Sequence, residues 1–400
     1  MPSAAASARV FAYSHDTYGL GHLRRSTSIA ERFVRDADGR SVLVATGSPR
    51  AQGFSPVKGV DYLKLPSVLK RADGTYAPRT LRGTVEEIAA LRGEILRAAV
   101  LAFRPDALLV DHAPVGFARE LEPTFAAISA LAKRPKVVLG LREIVDDVEA
   151  VRVQWAKEGV WKLLDGFFDK VLVYGDPAVR TTADELGLPA RLGDRLVFTG
   201  YVGRDLPPAE VSAGTPTILV SAGGGGDGAP LFRAFAAYLA ECGAAAPFRT
   251  VVVTGPFLSA DRAQDLRRRF ADTGAPCEIV EFTEDFGALL ANAKALVSMA
   301  GYNTTVEALA AGVPTLLVPR TAPRREQEIR AERIAAAAPH FRAVAIERLT
   351  PGALGRFVDE ALASAAPTPS RLRLDGADVA AREIAKLLSR RSGAAGGGAR

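Results

Sequence analysis

SMAGYNTTVEALAAGVPTLLVP, residues 298–319, reads as a strand end, a glycine turn, a helix opening with Asn303, Thr304 and Thr305, a glycine stop and a second strand. A helix whose first turn carries Gly301 and small hydroxyl residues leaves backbone N–H groups pointing at an anion. Glu307 falls one helical turn further in, where a carboxylate can accept from two neighbouring hydroxyls, as on a ribose. Phosphate at the helix mouth and a diol acceptor just inside make a nucleotide half-site.

Working outward, apolar β-rich runs alternate with helical patterns along the whole chain. The first half offers RVFAYS (9–14), SVLVAT (41–46), VDYLKL (60–65), ALLVDH (107–112), KVVLGL (136–141), KVLVYG (170–175) and RLVFTG (195–200). The second half offers TILVSA (217–222), TVVVTG (250–255), CEIVEF (277–282), ALVSMA (295–300) and PTLLVP (314–319). Continuous apolar strands separated by helices predict α/β architecture with parallel sheets covered on both faces. GRDLPPAEVSAGTP (203–216) is rich in Pro and Gly without periodicity and marks the break between domains. The expected division is a first Rossmann-like domain over 1–205, a linker over 206–216 and a second over 217–375. An amphipathic helix over 376–390 would pack back on the first domain, ahead of a disordered tail at 391–400. Two doubly wound domains joined this way would face each other across a ligand-binding cleft.

The chain has 400 residues, more than one core usually serves, with 48% hydrophobic and 24% charged residues, as in ordinary soluble proteins. Cys242 and Cys277 make neither a disulfide framework nor a metal spacing and fit buried residues of a cytosolic protein. Four scattered histidines argue against zinc, and no metal is expected. MPSAAASARV lacks a basic region followed by an apolar core, so no signal peptide is expected, and no run reaches the length of a membrane span. The net charge of +6 fits an anionic substrate, a lipid surface or plain solubility. Without an aromatic-interleaved basic stripe, nucleic acid is not expected as a partner.

Each half opens on a strand followed by a glycine-rich turn. In HDTYGLGHLRRS (15–26), Gly19 and Gly21 let the backbone approach a ligand, and His22 sits at the mouth of the next helix. A helix N-terminus favours neutral imidazole, which can act as a base. Asp111, at the end of ALLVDH, shares that rim and would fix the imidazole tautomer. The same spacing fits a His22 that only packs and an Asp111 that only caps. Arg24 and Arg25 follow His22, one toward an anionic acceptor and the other toward solvent. Arg142 reaches the rim, to hold an acceptor phosphate or carboxylate or to pair with Glu143 or Asp146. In SAGGGGDG (221–228), Gly223, Gly225 and Gly228 match G-x-G-x-x-G. The next strand ends in Thr254-Gly255-Pro256 without the acidic residue of a dinucleotide site, so the loop reads as a phosphate cradle. DAD at 36–38 lies in a polar turn and reads as surface. Trp155, Trp161, Phe167 and Phe168 read mostly as core, with a membrane-contacting face as the alternative. Glu326 and Gln327 open the helix after PTLLVPR, where an amide can touch sugar hydroxyls and a solvated first turn is the plain reading.

The order of these pieces resembles the GT-B glycosyltransferases, most closely the MurG-like group, the lipid-linked N-acetylglucosaminyltransferases of bacterial cell-wall synthesis. EFTEDFGALLANAKALVSMAGYNTTVEALAAGVPTLLVPR (281–320), EQEIRAERI after it, the turn with His22 and FTGYVGRDL (198–206) carry the resemblance. It implies an inverting, metal-independent transfer from a nucleoside-diphosphate sugar, a UDP-sugar such as UDP-N-acetylglucosamine, to an unidentified hydroxyl acceptor, without a cofactor. It also implies a cytoplasmic protein in peripheral contact with the inner membrane. By this resemblance Phe282 would hold the base, and Gly301, Asn303 and Thr304 the diphosphate together with Gly223, Gly224, Gly225 and Gly226. Glu307 would bind the ribose and Gln327 the sugar, with Met299 and Thr305 completing the donor set. His22 and Asp111 would be catalytic, and Gly19, Gly21, Arg24 and Arg142 would bind the acceptor. The turn YGLGH, the pair Tyr302-Asn303 and Glu326-Gln327 in place of paired glutamines depart from the MurG pattern. A UDP-sugar 2-epimerase and a non-catalytic sugar-nucleotide-binding protein are the rival readings.

Overall fold

Runs of buried branched and aliphatic residues build two parallel sheets. The computed structural model describes residues 7–15, 21–49, 51, 57–70, 75–209, 214–283, 285–364 and 367–393. The chain forms two units, Met1–Gly203 with Arg373–Arg400, and Arg204–Leu372.

In the first unit the strands are β1 (Arg9–Ser14), β2 (Ser41–Thr46), β3 (Val60–Lys64), β4 (Val68–Lys70), β5 (Tyr76–Pro78), β6 (Ala107–Asp111), β7 (Lys136–Arg142), β8 (Lys170–Tyr174) and β9 (Leu196–Phe198). All but β4 and β5 form one parallel sheet in the order β3-β2-β1-β6-β7-β8-β9. The strands β6 and β8 are apolar on both faces because helices cover both sides. Strands β4 and β5 form a short antiparallel hairpin absent from the sequence expectation.

The second unit has β10 (Thr217–Ser221), β11 (Arg249–Val253), β12 (Cys277–Val280), β13 (Ala295–Ser298), β14 (Thr315–Leu317) and β15 (Phe341–Ala343), all parallel, in the order β12-β11-β10-β13-β14-β15. In both units the order reverses beside the first strand, between β1 and β6 and between β10 and β13. Loops leaving the carboxyl ends of strands diverge at such a switch point and open a crevice.

The boundary between the units falls at Gly203–Arg204, and the chain crosses back at Leu372–Arg373. Residues 206–209 and 214–216 form no helix or strand, and 210–213 lie outside the described residues. The final helix, Gly376–Gly393, extends into the expected tail, of which 394–400 lie outside the described residues. It packs on the Gly21–Arg35 helix, where Arg32 Nε meets Asp378 Oδ1 at 3.1 Å. Lys170 Nζ also donates to Glu383 Oε2 at 2.5 Å. Trp155 and Phe168 are core, Trp161 and Phe167 pack against it, and no described helix is long and apolar enough to cross a membrane. Cys242 and Cys277 are half-buried free thiols, less enclosed than expected.

A buried charge pair locks the end of β1. Arg92 Nε and Nη2 donate to Glu120 Oε2 and Oε1 at 2.5 and 2.7 Å, and the Tyr13 hydroxyl donates to Oε1 at 2.7 Å. Both charged side chains are shut off from solvent. Glu120→Ala would leave the Arg92 charge buried alone, so urea unfolding should show a loss of about 3–5 kcal/mol.

Candidate active site

The Gly21–Arg35 helix starts beside the end of β1, which pairs with β6. This brings His22, in the first helical turn, onto Asp111 at the last position of β6. His22 Nδ1 and Asp111 Oδ2 are 2.6 Å apart. Arg25, one turn further along, donates through Nε to Oδ1 and through Nη2 to Oδ2, both at 2.9 Å. Arg25 Nη2 also stands 2.9 Å from His22 Nδ1, and that nitrogen can serve only one neighbour. A bare Nδ1 at 2.6 Å from a carboxylate would set lone pair against lone pair. Nδ1 therefore carries the proton and gives it to Asp111, and Nε2 keeps its lone pair.

Burial pushes the His22 pKa down, Asp111 draws it back up, and Arg25 and Arg142 lower it again; the net is below the ordinary value, so the ring is neutral at pH 7. For Asp111 burial raises the pKa, but Arg25 and then His22 outweigh it and bring it to about 2. Arg25 lies 5.3 Å from the Tyr174 ring centroid, and Tyr174 in turn lies over Gly140. A Cβ at Gly140 would stand 1.9 Å from the Tyr174 hydroxyl, so glycine in mid-strand makes room for the ring that backs Arg25.

Of the two arginines, Arg25 is the buried one, held on the Asp111 carboxylate rather than turned to an acceptor. Arg24, the residue expected to bind the acceptor, is the partly exposed one. Gly21 opens the helix, and Gly19 lies outside the described residues. Arg142 ends β7 with Nη2 at 3.1 Å from Nε2 of His112, a residue the sequence reading left without a role. His112 follows Asp111 in a left-handed conformation, φ 66°, and Ala113 N donates across it to Asp111 O at 2.8 Å. A three-residue turn of this kind is rare and strained, at a cost on the order of 1–3 kcal/mol. His15 completes a group of three imidazoles, with ring centroids 5.2–6.2 Å apart. Among the described residues no cluster of His, Cys, Asp and Glu has the geometry to hold a metal ion.

In the second unit the two expected phosphate elements meet. A Cβ built on Gly223 would find only the Thr304 hydroxyl, at 3.9 Å, and one on Gly301 would find nothing within 4 Å. The helix runs Tyr302–Ala311 with Gly301 as its N-cap, one residue earlier than the expected Asn303 start, and no side chain caps it. Asn303 and Thr304 are partly exposed there, and Met299 is buried behind the turn. Thr305 is buried, and its hydroxyl has no hydrogen-bond partner. Gly225, at φ 89°, lies so close to Thr254 O that a Cβ would be 2.1 Å from it, while Phe257 N donates to Gly224 O at 3.0 Å. The loop that contains Gly226 is thus pinned to the end of β11 rather than loose. Phe282 is partly exposed just beyond β12, at the edge of the sheet.

Two donor-side expectations change. Glu307 is buried and accepts from Arg204 Nε at 2.7 Å, so the expected ribose acceptor is already engaged by the first residue of this unit. Glu326 is buried rather than solvated and accepts from Arg320 Nη2 at 2.7 Å, while Gln327 Oε1 takes the Arg320 N–H at 3.4 Å. Arg330, also absent from the sequence reading, is buried and donates to Ala300 O at 3.0 Å, placing a cation beneath the helix mouth. Its spacing after Glu326 on one helix face was the available signal.

Removing Asp111 should cost more fold stability than removing His22. Asp111→Ala strands Arg25 and should lose about 3–5 kcal/mol in urea unfolding, whereas His22→Ala should lose about 1 kcal/mol. Because the Asp111 pKa falls from 3.8 to about 2 on folding, its contribution is present above pH 3.8 and fades as pH drops toward 2. The stability of Asp111→Ala should therefore fall less steeply than wild type across that window.

Residues 217–368 match the glycosyltransferase family 28 C-terminal domain. The chain is 32% identical over 224 residues to the UDP-N-acetylglucosamine--N-acetylmuramyl-(pentapeptide) pyrophosphoryl-undecaprenol N-acetylglucosamine transferase of Herminiimonas arsenicoxydans, a match of 52% of this chain and 60% of that one. It thus spans less than two thirds of that relative. Among solved structures it is similar to the glycotransferase of kitacinnamycin, with a TM-score of 0.60, 18% identity and 98% and 96% of the two chains covered. A UDP-N-acetylglucosamine 2-epimerase gives a TM-score of 0.61, 15% identity and coverage of 97% and 96%. The chain thus has the GT-B fold, and within it residues 217–368 match the glycosyltransferase family 28 C-terminal domain.

Proposed function

We propose that the protein is an inverting, metal-independent glycosyltransferase that moves a sugar from a UDP-sugar, UDP-N-acetylglucosamine first among them, to a hydroxyl of an acceptor. The observation that carries this reading is the 2.6 Å His22–Asp111 hydrogen bond in a chain whose other unit matches the glycosyltransferase family 28 C-terminal domain over residues 217–368. The Herminiimonas relative, named as an N-acetylglucosamine transferase acting on a pyrophosphoryl-undecaprenol acceptor, supports this donor and suggests a lipid-linked acceptor at a membrane face.

His22 Nε2 takes the acceptor proton as the hydroxyl oxygen attacks the anomeric carbon. The bond from that carbon to the diphosphate breaks, and its electron pair leaves on the nucleotide. Asp111 stabilises the imidazolium and Arg25 keeps Asp111 ionised. The uncapped helix mouth at Gly301, the Gly223–Gly226 loop and the Arg330 charge beneath stabilise the leaving diphosphate. Glu307 exchanges Arg204 for the ribose hydroxyls, and Gln327 touches the sugar.

The epimerase reading stands second, because a 2-epimerase shares the fold across nearly the whole chain. UDP-N-acetylglucosamine without acceptor separates the two: an epimerised sugar nucleotide identifies the isomerase and sinks the transferase. For the transferase, His22→Ala should keep UDP-N-acetylglucosamine affinity and lose about 10²–10⁴ in turnover. Lost affinity with normal turnover at saturation would remove the assigned role. Since the neutral ring is the active form and its pKa is lowered, kcat/KM should be level at pH 7 and above and fall only below pH 6.5.

A further inference from the structure

Successive side chains of a strand point to opposite faces. With Asp111 turned to His22, residue 112 should point away. The strained turn after β6 cancels that alternation: the chain folds back on itself at His112, φ 66°, with Ala113 N on Asp111 O at 2.8 Å. Asp111 and His112 both address His22, one through the 2.6 Å hydrogen bond and the other with its ring centroid 5.2 Å away. Glycine or asparagine takes this backbone conformation more cheaply, yet the position holds a buried imidazole.

Its protonation is fixed from behind. A guanidinium only donates, so Arg142 Nη2 at 3.1 Å makes His112 Nε2 the acceptor and leaves the ring proton on Nδ1. That Nδ1 is buried and has no hydrogen-bond partner. Burial first, then Arg142, His22, His15 and Arg25, hold the His112 pKa well below the ordinary value, so the ring stays neutral. His22, by contrast, holds its proton on Nδ1 for Asp111 and offers a bare Nε2. One imidazole supplies an N–H and its neighbour a lone pair, and no direct hydrogen bond joins them. Two nitrogens that share one hydroxyl oxygen stand roughly 4.5–5 Å apart, and the two ring centroids are 5.2 Å apart.

We infer that His112 is a second functional imidazole, whose Nδ1–H donates to the oxygen of the attacking hydroxyl while that hydroxyl gives its proton to His22 Nε2. The inference rests on the transferase reading. One lone pair of the hydroxyl oxygen is taken by His112 and the other is left for the anomeric carbon. The O–H proton goes to His22, the carbon–oxygen bond forms, and the bond to the diphosphate breaks with its electrons leaving on UDP; His112 keeps its proton throughout. Water in the same place yields free sugar and UDP.

The test compares wild type with His112→Asn and His112→Gly in thermal unfolding, UDP-N-acetylglucosamine binding by calorimetry, and UDP release with water as acceptor. Asparagine suits the left-handed backbone, which offsets the lost Arg142 contact, so its variant should unfold close to the wild-type midpoint. Both variants should bind the donor within about twofold of wild type and release UDP about tenfold more slowly or worse. Unchanged UDP release, or a large loss of thermal stability in both variants, overturns the inference. So does a wild type that binds UDP-N-acetylglucosamine yet releases no UDP, whereas failure to bind the donor sinks the transferase reading instead. With four histidines in the chain, ring ¹H–¹⁵N spectra decide independently of any donor. His112 should be neutral with its proton on Nδ1 at pH 7, and a proton on Nε2 overturns the inference.

Discussion

The Asp111 carboxylate anchors the buried charge cluster of the first unit. It is a buried anion, and a buried anion is tolerable only when its oxygens are fully used. Arg25 takes both of them and His22 shares one. That one requirement ties the end of β6 to the first two turns of the Gly21–Arg35 helix. It also fixes the His22 tautomer and needs Tyr174 over Gly140 to back the guanidinium. Moving any of these groups exposes a charge the others have been folded around.

The two units repeat one solution at different levels of charge. Each opens its sheet beside the first strand and places a helix mouth there. In the first unit the mouth carries a neutral imidazole held on a buried carboxylate, which is suited to taking a proton. In the second it carries glycine and small hydroxyls, with backbone N–H groups and a buried arginine underneath, which is suited to holding an anion still. The difference lies in the residues after the strands and not in the sheets, as expected where a common fold hosts different sites.

Much of this was legible in the chain itself because buried parallel strands are written as unbroken apolar runs. RVFAYS and SVLVAT coincide with β1 and β2 residue for residue. The hairpin of β4 and β5 and the strand β15 have three residues each, too few to show a period. His22 and Asp111 could be paired because strand ends are predictable; Arg25 could not be told from Arg24, since adjacent helical residues differ by one rotation that sequence spacing leaves undefined. Arg204 lies 103 residues from Glu307, and no local pattern links them. His112 was hidden for the opposite reason: alternation, the rule that located Asp111, predicts the wrong direction for the next residue.

The return of residues 373–393 to the first unit changes what counts as a separable piece of this protein. Tyr201 N donates to Arg373 O at 2.8 Å and Gly376 N to Tyr201 O at 3.1 Å, so the outgoing and returning segments are stitched together. Residues 204–372 are in effect a cassette inserted into the first unit between its last strand and its last helix. The cassette is one contiguous stretch of chain, whereas its host is made of two. Its host cannot be obtained by cutting the chain once, because residues 1–203 alone would leave the His22 helix without the apolar face that covers it.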